Sequence, residues 1–113
     1  MGTAGFSHNF QSLIVVVGDL NCYPYERDRH VIYINGSIAA MQLILSLETL
    51  GLSSCVINWP DIEQYEKRMS ARLGLELDQR PIMVIALGYA DPQGMIPFSQ
   101  KKTAKQLIKE VVA

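Results

Sequence analysis

The sequence predicts an α+β domain (α/β-like), a layered sheet backed by one long central helix. Three observations carry this. Leu13-Ile14-Val15-Val16-Val17 and Ile82 to Leu87 are continuous apolar runs with the character of strands covered on both faces. Between them, Arg29 to Leu50 changes to a helical pattern. The order strand, long helix, short strand, helix, strand, helix is an alternation that layered folds produce. At 113 residues, 49% of them apolar and 19% charged, the chain has the size and composition of a single folded domain, residues 1–113.

Met1 to Gln11, with Gly2, Gly5, Ser7, His8 and Asn9, reads as an irregular lead-in. The first strand spans Ser12 to Gly18, and Asp19 to Asp28 is a polar loop containing Pro24 and two tyrosines. In the long helix, Asn35, Gln42, Ser46 and Thr49 fall at offsets of seven, four and three. They form one narrow polar stripe with apolar side chains around most of the remaining circumference, so the helix needs more than one packing neighbour. In so small a chain, one neighbour is expected to be another subunit, and a homodimer follows. Gly51 ends the helix as a left-handed cap.

Ser54 to Ile57 is expected to be extended, and Pro60 to open the next helix as its first residue. Ile62, Tyr65, Met69 and Leu73 stripe that helix and Gly74 closes it. Pro81 is expected to open the second apolar strand, with a turn region from Gly88 to Gly94. Thr103-Ala104-Lys105-Gln106 matches a capping box, and Leu107, Ile108 and Val111 supply the apolar side of a final helix.

The formal net charge of −1 argues against a nucleic-acid partner. Charge is uneven: residues 1–96 hold six Lys or Arg against ten acids, and residues 97–113 hold four Lys against one acid. A solvated C-terminal helix is the plain account of the basic end. Two cysteines, Cys22 and Cys55, are too few for a disulfide framework and make no CxxC, which fits a reducing compartment. No signal peptide is apparent at the N-terminus, and Val31 to Leu50 carries Asn35, Gln42 and Glu48, an unusual load for a membrane span. The expectation is a cytoplasmic protein with no membrane partner.

The sequence contains no GxGxxG, GxxxxGK[ST], GxSxG or HExxH. His8 and His30 have no partner pattern and read as surface or helix-start residues. Cys55, in an apolar strand, is expected to be a buried thiol acting as a small hydrophobe. No metal ligand set is present.

Three segments in order nevertheless carry a resemblance. Ile38-Ala39-Ala40-Met41-Gln42-Leu43-Ile44-Leu45-Ser46-Leu47-Glu48-Thr49-Leu50-Gly51-Leu52-Ser53-Ser54-Cys55 resembles the central helix and its exit in the nitroreductase family. Leu73-Gly74-Leu75, then Arg80-Pro81-Ile82-Met83-Val84-Ile85-Ala86-Leu87-Gly88-Tyr89-Ala90-Asp91-Pro92, is similar to the family's last strand with its Ala-Leu-Gly-Tyr-Pro-Asp close. Pro97-Phe98-Ser99-Gln100-Lys101-Lys102 is similar to its basic Pro-x-Ser-x-Arg-Lys segment. The resemblance runs from Ser12 to Val112 and is to the C-terminal half of the family only, a partial fold.

That resemblance implies an FMN-dependent NAD(P)H oxidoreductase, or a C-terminal portion of one, passing electrons to a small acceptor. Val56, Ile57, Asn58 and Trp59 would flank the flavin ring, where main-chain donors tune the cofactor without a catalytic acid or base. Lys101 and Lys102 would meet the FMN phosphate, supplying charge without the two-pronged geometry of arginine. Family members are about twice as long, and their N-terminal half carries an Arg-rich flavin-gripping segment without a counterpart here. The alternative is therefore a non-catalytic truncated remnant, or a dimerisation or interaction module with an incomplete flavin site.

Overall fold

The computed structural model describes residues 3–111; Met1, Gly2, Val112 and Ala113, the outermost residues of the lead-in and of the family-like stretch, lie outside them. The elements are β1 (Ser12–Asp19), α1 (Val31–Thr49), β2 (Ser53–Asn58), α2 (Glu63–Leu73), β3 (Gln79–Gly88) and α3 (Ala104–Leu107). Short 3-10 turns at Ser7–Asn9, Leu20–Cys22 and Glu26–Asp28 fill the lead-in and the polar loop.

The sheet has the order β1-β3-β2, with both outer strands antiparallel to β3. β1 and β2 therefore run the same way, separated by β3, and α1 is the crossover that joins them. Side chains alternate between faces. Ile57, Val84 and Ala86 form a buried cluster on one face, packed by Phe10, Val15, Trp59 and by Met69 of α2. The opposite face carries Ile85, which has 0% exposure, beneath α1. This is a helix–sheet–helix stack, the layering that two-sided apolar strands require.

α1 touches the sheet through Ile32, Ala40 and Leu47, its buried residues. At 100° per residue, Ile34, Ile38, Met41 and Leu45 lie on the opposite side of the helix, and each is at least half exposed. The polar stripe separates the two apolar faces. By length and composition α1 is apolar enough to cross a membrane; the sheet buries only Ile32, Ala40 and Leu47, and the outer ridge holds much of the remaining apolar load. Two glycines admit α1 to close range of the sheet. A Cβ on Gly36 would run into the Ile82 side chain, and one on Gly18 would lie 2.8 Å from Ile32 Cβ.

Four local expectations change. Pro60 does not begin a helix: its carbonyl accepts from Ile62 N–H at 2.9 Å, and α2 starts at Glu63. The chain leaves β2 at the sheet end and must turn back over the sheet before helical repeat can begin. Pro81 lies inside β3, not at its start. It tolerates that position because β2 pairs only as far as Met83, so its missing N–H faces no strand on that side. Ile82 is the extra residue of a bulge opposite Val16 and Val17, next to it. Cys55 is exposed, not buried, because β2 is an edge strand whose Cys55 end α2 does not reach. The last helix is one turn only. The capping box at Thr103 and Gln106 forms, but Ile108 is already extended, because so short a helix persists only when a surface packs against it.

Gly51 and Gly74 do take the left-handed conformation after their helices, with φ of 72° and 65°. The chain after β3 lies off the body, with Met95, Ile96 and Phe98 almost fully exposed. The radius of gyration is 17.1 Å, against ~13 Å for a closed domain of this length.

Candidate flavin-flanking strand and its surroundings

The candidate site is built on β2, whose position follows from the crossover. Gly51 turns the chain out of α1, and Ser53–Asn58 then pairs along β3 from Ser53 opposite Gly88 to Asn58 opposite Met83. As an edge strand, β2 leaves alternate N–H and C=O groups unpaired along its outer side. Val56 and Asn58 are exposed, while Ile57 is buried in the core cluster and its side chain cannot touch a ligand. Trp59 is half-buried against that cluster, with its indole Nε1 enclosed and without a hydrogen-bond partner among the described residues.

Lys101 and Lys102 are exposed on the tail, where Lys101 Nζ donates to Ser99 Oγ at 2.7 Å. The structure thus brings Val56, Ile57, Asn58 and Trp59 together as one strand end. The two lysines make no hydrogen bond or ion pair to that strand among the described residues.

Neighbouring features that sequence reasoning passed over include Gln11, whose Oε1 accepts from Tyr89 N–H at 3.1 Å and ties the end of β3 to the lead-in. Phe6 and Phe10 stack edge to face there, with centroids 5.4 Å apart, and with Tyr89, Asn9 and Ser53 they border an open recess of about 280 Å³. Asn35, on the polar stripe of α1, donates to Tyr23 Oη at 2.7 Å. Under Trp59, α2 presents Arg68 and Arg72. Their spacing of four residues was the signal for a shared helix face.

Two ion pairs on α2 near the site are structural. Arg80 donates to Glu66 at 2.8 Å and Lys67 to Glu63 at 2.5 Å. That hydrogen bond, then the charge of Lys67, holds the Glu63 carboxyl below the usual carboxylate range. The pair is fully exposed and screened by water. Among the described residues no three His, Cys, Asp or Glu side chains gather as a metal site. What the strand end offers chemically is a row of main-chain donors beside partly apolar side chains.

The fold agrees with that of solved proteins. A nitroreductase family protein from Clostridium difficile 630 superposes with a TM-score of 0.70 at 19% identity, over 90% of this chain and 60% of that one. An FMN-dependent nitroreductase from Clostridium difficile R20291 gives 0.65 at 22% identity, over 93% of this chain and 57% of that one. A nitroreductase family protein from Streptococcus pneumoniae TIGR4 gives 0.63 at 23% identity, over 79% and 42%. The chain spans about half the length of such structures. No curated protein matches it. The family model for the nitroreductase family matches residues 2–89, which take in β1, α1, β2, α2 and β3 in order, and on that match the chain belongs to the nitroreductase family.

Proposed function

We propose that this chain is an FMN-dependent NAD(P)H oxidoreductase of nitroreductase type, or the C-terminal portion of one, working in the cytoplasm as a homodimer. The observation that carries the reading is the open outer side of β2 at Val56 to Trp59, on a fold whose solved relatives include an FMN-dependent enzyme. FMN, when bound, supplies the electron transfer between NAD(P)H and a small acceptor. The strand's own part is to position main-chain N–H donors at the ring edge and to keep Val56 and Trp59 as its apolar flank.

The ring end of the cofactor fits the residues present: an edge strand has donors to spare, and no titrating side chain competes with them. The phosphate end does not close within one copy, since Lys101 and Lys102 sit on a tail without contacts to β2 among the described residues. A second copy packed on the outer ridge of α1 would bring further surface to the site, and the exposed Met95, Ile96 and Phe98 of the tail supply apolar area for the same contact. The exposed, free Cys22 and Cys55 suit a reducing compartment.

Titration of the purified chain with FMN, followed by flavin fluorescence quenching and by NADH oxidation, tests the reading. Saturable binding is expected. Lys101→Gln with Lys102→Gln should weaken it by about tenfold or more, the loss of a charge-assisted contact worth ~1.5–3 kcal/mol. The open phosphate end favours one rival, a non-catalytic interaction module that keeps the sheet and the dimer helix. A chain that dimerises yet neither quenches flavin fluorescence nor oxidises NADH would establish that rival.

A further inference from the structure

A second feature lies on the α2 side of the sheet and goes beyond the flavin reading. Tyr65, Arg68, Met69 and Arg72 share one face of α2, and with Trp59 and Thr3 they line a recess of about 420 Å³. That volume lies within the ~300–1,000 Å³ of small-molecule pockets. Met69 and Trp59 pack on the Ile57–Val84–Ala86 cluster, so the floor of the recess is apolar.

The charged groups around that floor are of one sign, beside the hydroxyls of Thr3 and Tyr65. Arg68 and Arg72 are guanidiniums one helical turn apart, and the Trp59 indole is a donor only. Among the described residues no carboxylate lines the recess. Arg27, Lys67 and Arg80 each have an acidic partner, whereas Arg68 and Arg72 have none among the described residues. The indole N–H is enclosed without an acceptor, an unfavourable state for a buried donor.

From these observations we infer that the recess binds a planar aromatic carboxylate. Its ring would lie on Met69 between Trp59 and Tyr65, and its carboxylate would accept from the two guanidiniums. A bare anion would leave the apolar floor uncovered, and an uncharged hydrocarbon would leave the two guanidiniums without an anionic partner. A ligand that is apolar at one end and anionic at the other answers both.

Trp59 is the chain's single tryptophan, so its indole N–H gives one isolated resonance in a ¹H–¹⁵N spectrum. The probe is 2-naphthoate titrated into the full chain without FMN, followed by calorimetry and by that resonance. Saturable binding with a ring-current shift of the indole resonance is expected. 2-Naphthamide, which keeps the ring and loses the charge, should bind about tenfold more weakly, and so should the variant carrying Arg68→Gln and Arg72→Gln. Absence of saturable binding, an unmoved indole resonance, or equal binding of acid and amide would each overturn the inference. Circular dichroism establishes whether the double variant is folded; if it is not, the comparison of acid with amide on the unaltered chain decides. Neither arginine belongs to the proposed flavin strand, so loss of naphthoate binding with FMN binding intact, or the reverse, separates the two readings.

Discussion

Ile38 stands at the centre of the outer ridge of α1 and is 66% exposed. Full burial of such a side chain contributes ~1.5–3 kcal/mol, so covering the exposed two-thirds contributes ~1–2 kcal/mol per copy. In a two-fold interface the same residue is buried twice, which doubles the term to ~2–4 kcal/mol. Ile38→Lys removes it, and at ~1.4 kcal/mol per decade the dimer dissociation constant should rise by about 30- to 700-fold. The cost of placing two ammonium groups in an apolar contact adds to that. The monomer itself should be untouched, because Ile38 points away from the sheet and lysine is at least as good a helix former as isoleucine. Sedimentation across a dilution series measures the shift, with circular dichroism as the check on folding. A wild-type chain that remains monomeric at its highest soluble concentration would refute the two-faced reading of α1. So would a variant that dimerises as tightly as the wild type.

Two further substitutions test the fold beneath that helix. Gly18→Ala would place its Cβ 2.8 Å from Ile32 Cβ, an atom fixed to the backbone that no rotamer change can move. The start of α1 must shift, and urea unfolding should show a loss of ~1–3 kcal/mol. Ile85→Ala opens a hole under α1 at the one fully buried large side chain among the described residues, and a loss of ~2–5 kcal/mol is expected. Against the ~5–15 kcal/mol of a typical domain that is large enough to show as a clear fall in the urea midpoint; a midpoint unchanged by Ile85→Ala would place the core elsewhere.

The strand that carries the candidate site was legible without coordinates. Gly51 and Ser54 to Ile57 mark a helix exit followed by an extended run, and that run is β2. The flavin ring along it is what the family resemblance proposes. The positions of Lys101 and Lys102 were equally visible as a basic segment, but their separation from β2 was not, because local pattern says nothing about where a tail lies once it leaves a sheet. The donor-lined recess under Trp59 escaped for a related reason. Nothing in the sequence pattern singles out Arg68 and Arg72, and only the packing of Met69 and Trp59 on the same cluster gives them a floor to stand beside.

The sequence by itself determined what each segment is. Apolar β-branched runs make strands, the narrow polar stripe makes α1 apolar on two sides, and Gly51 and Gly74 end their helices because each takes a positive φ. These are local consequences of side-chain shape and backbone freedom. Tertiary structure decided how the segments are used. Placing β3 between β1 and β2 made β2 an edge and exposed Cys55. It also let Pro81 sit inside a strand, beyond the reach of β2. The same stacking took one apolar face of α1 and left the other open, since one sheet can cover only one side of a helix. The capping box at Thr103 shows the limit from the other direction: a correct local signal produced a single turn, none of whose residues is buried.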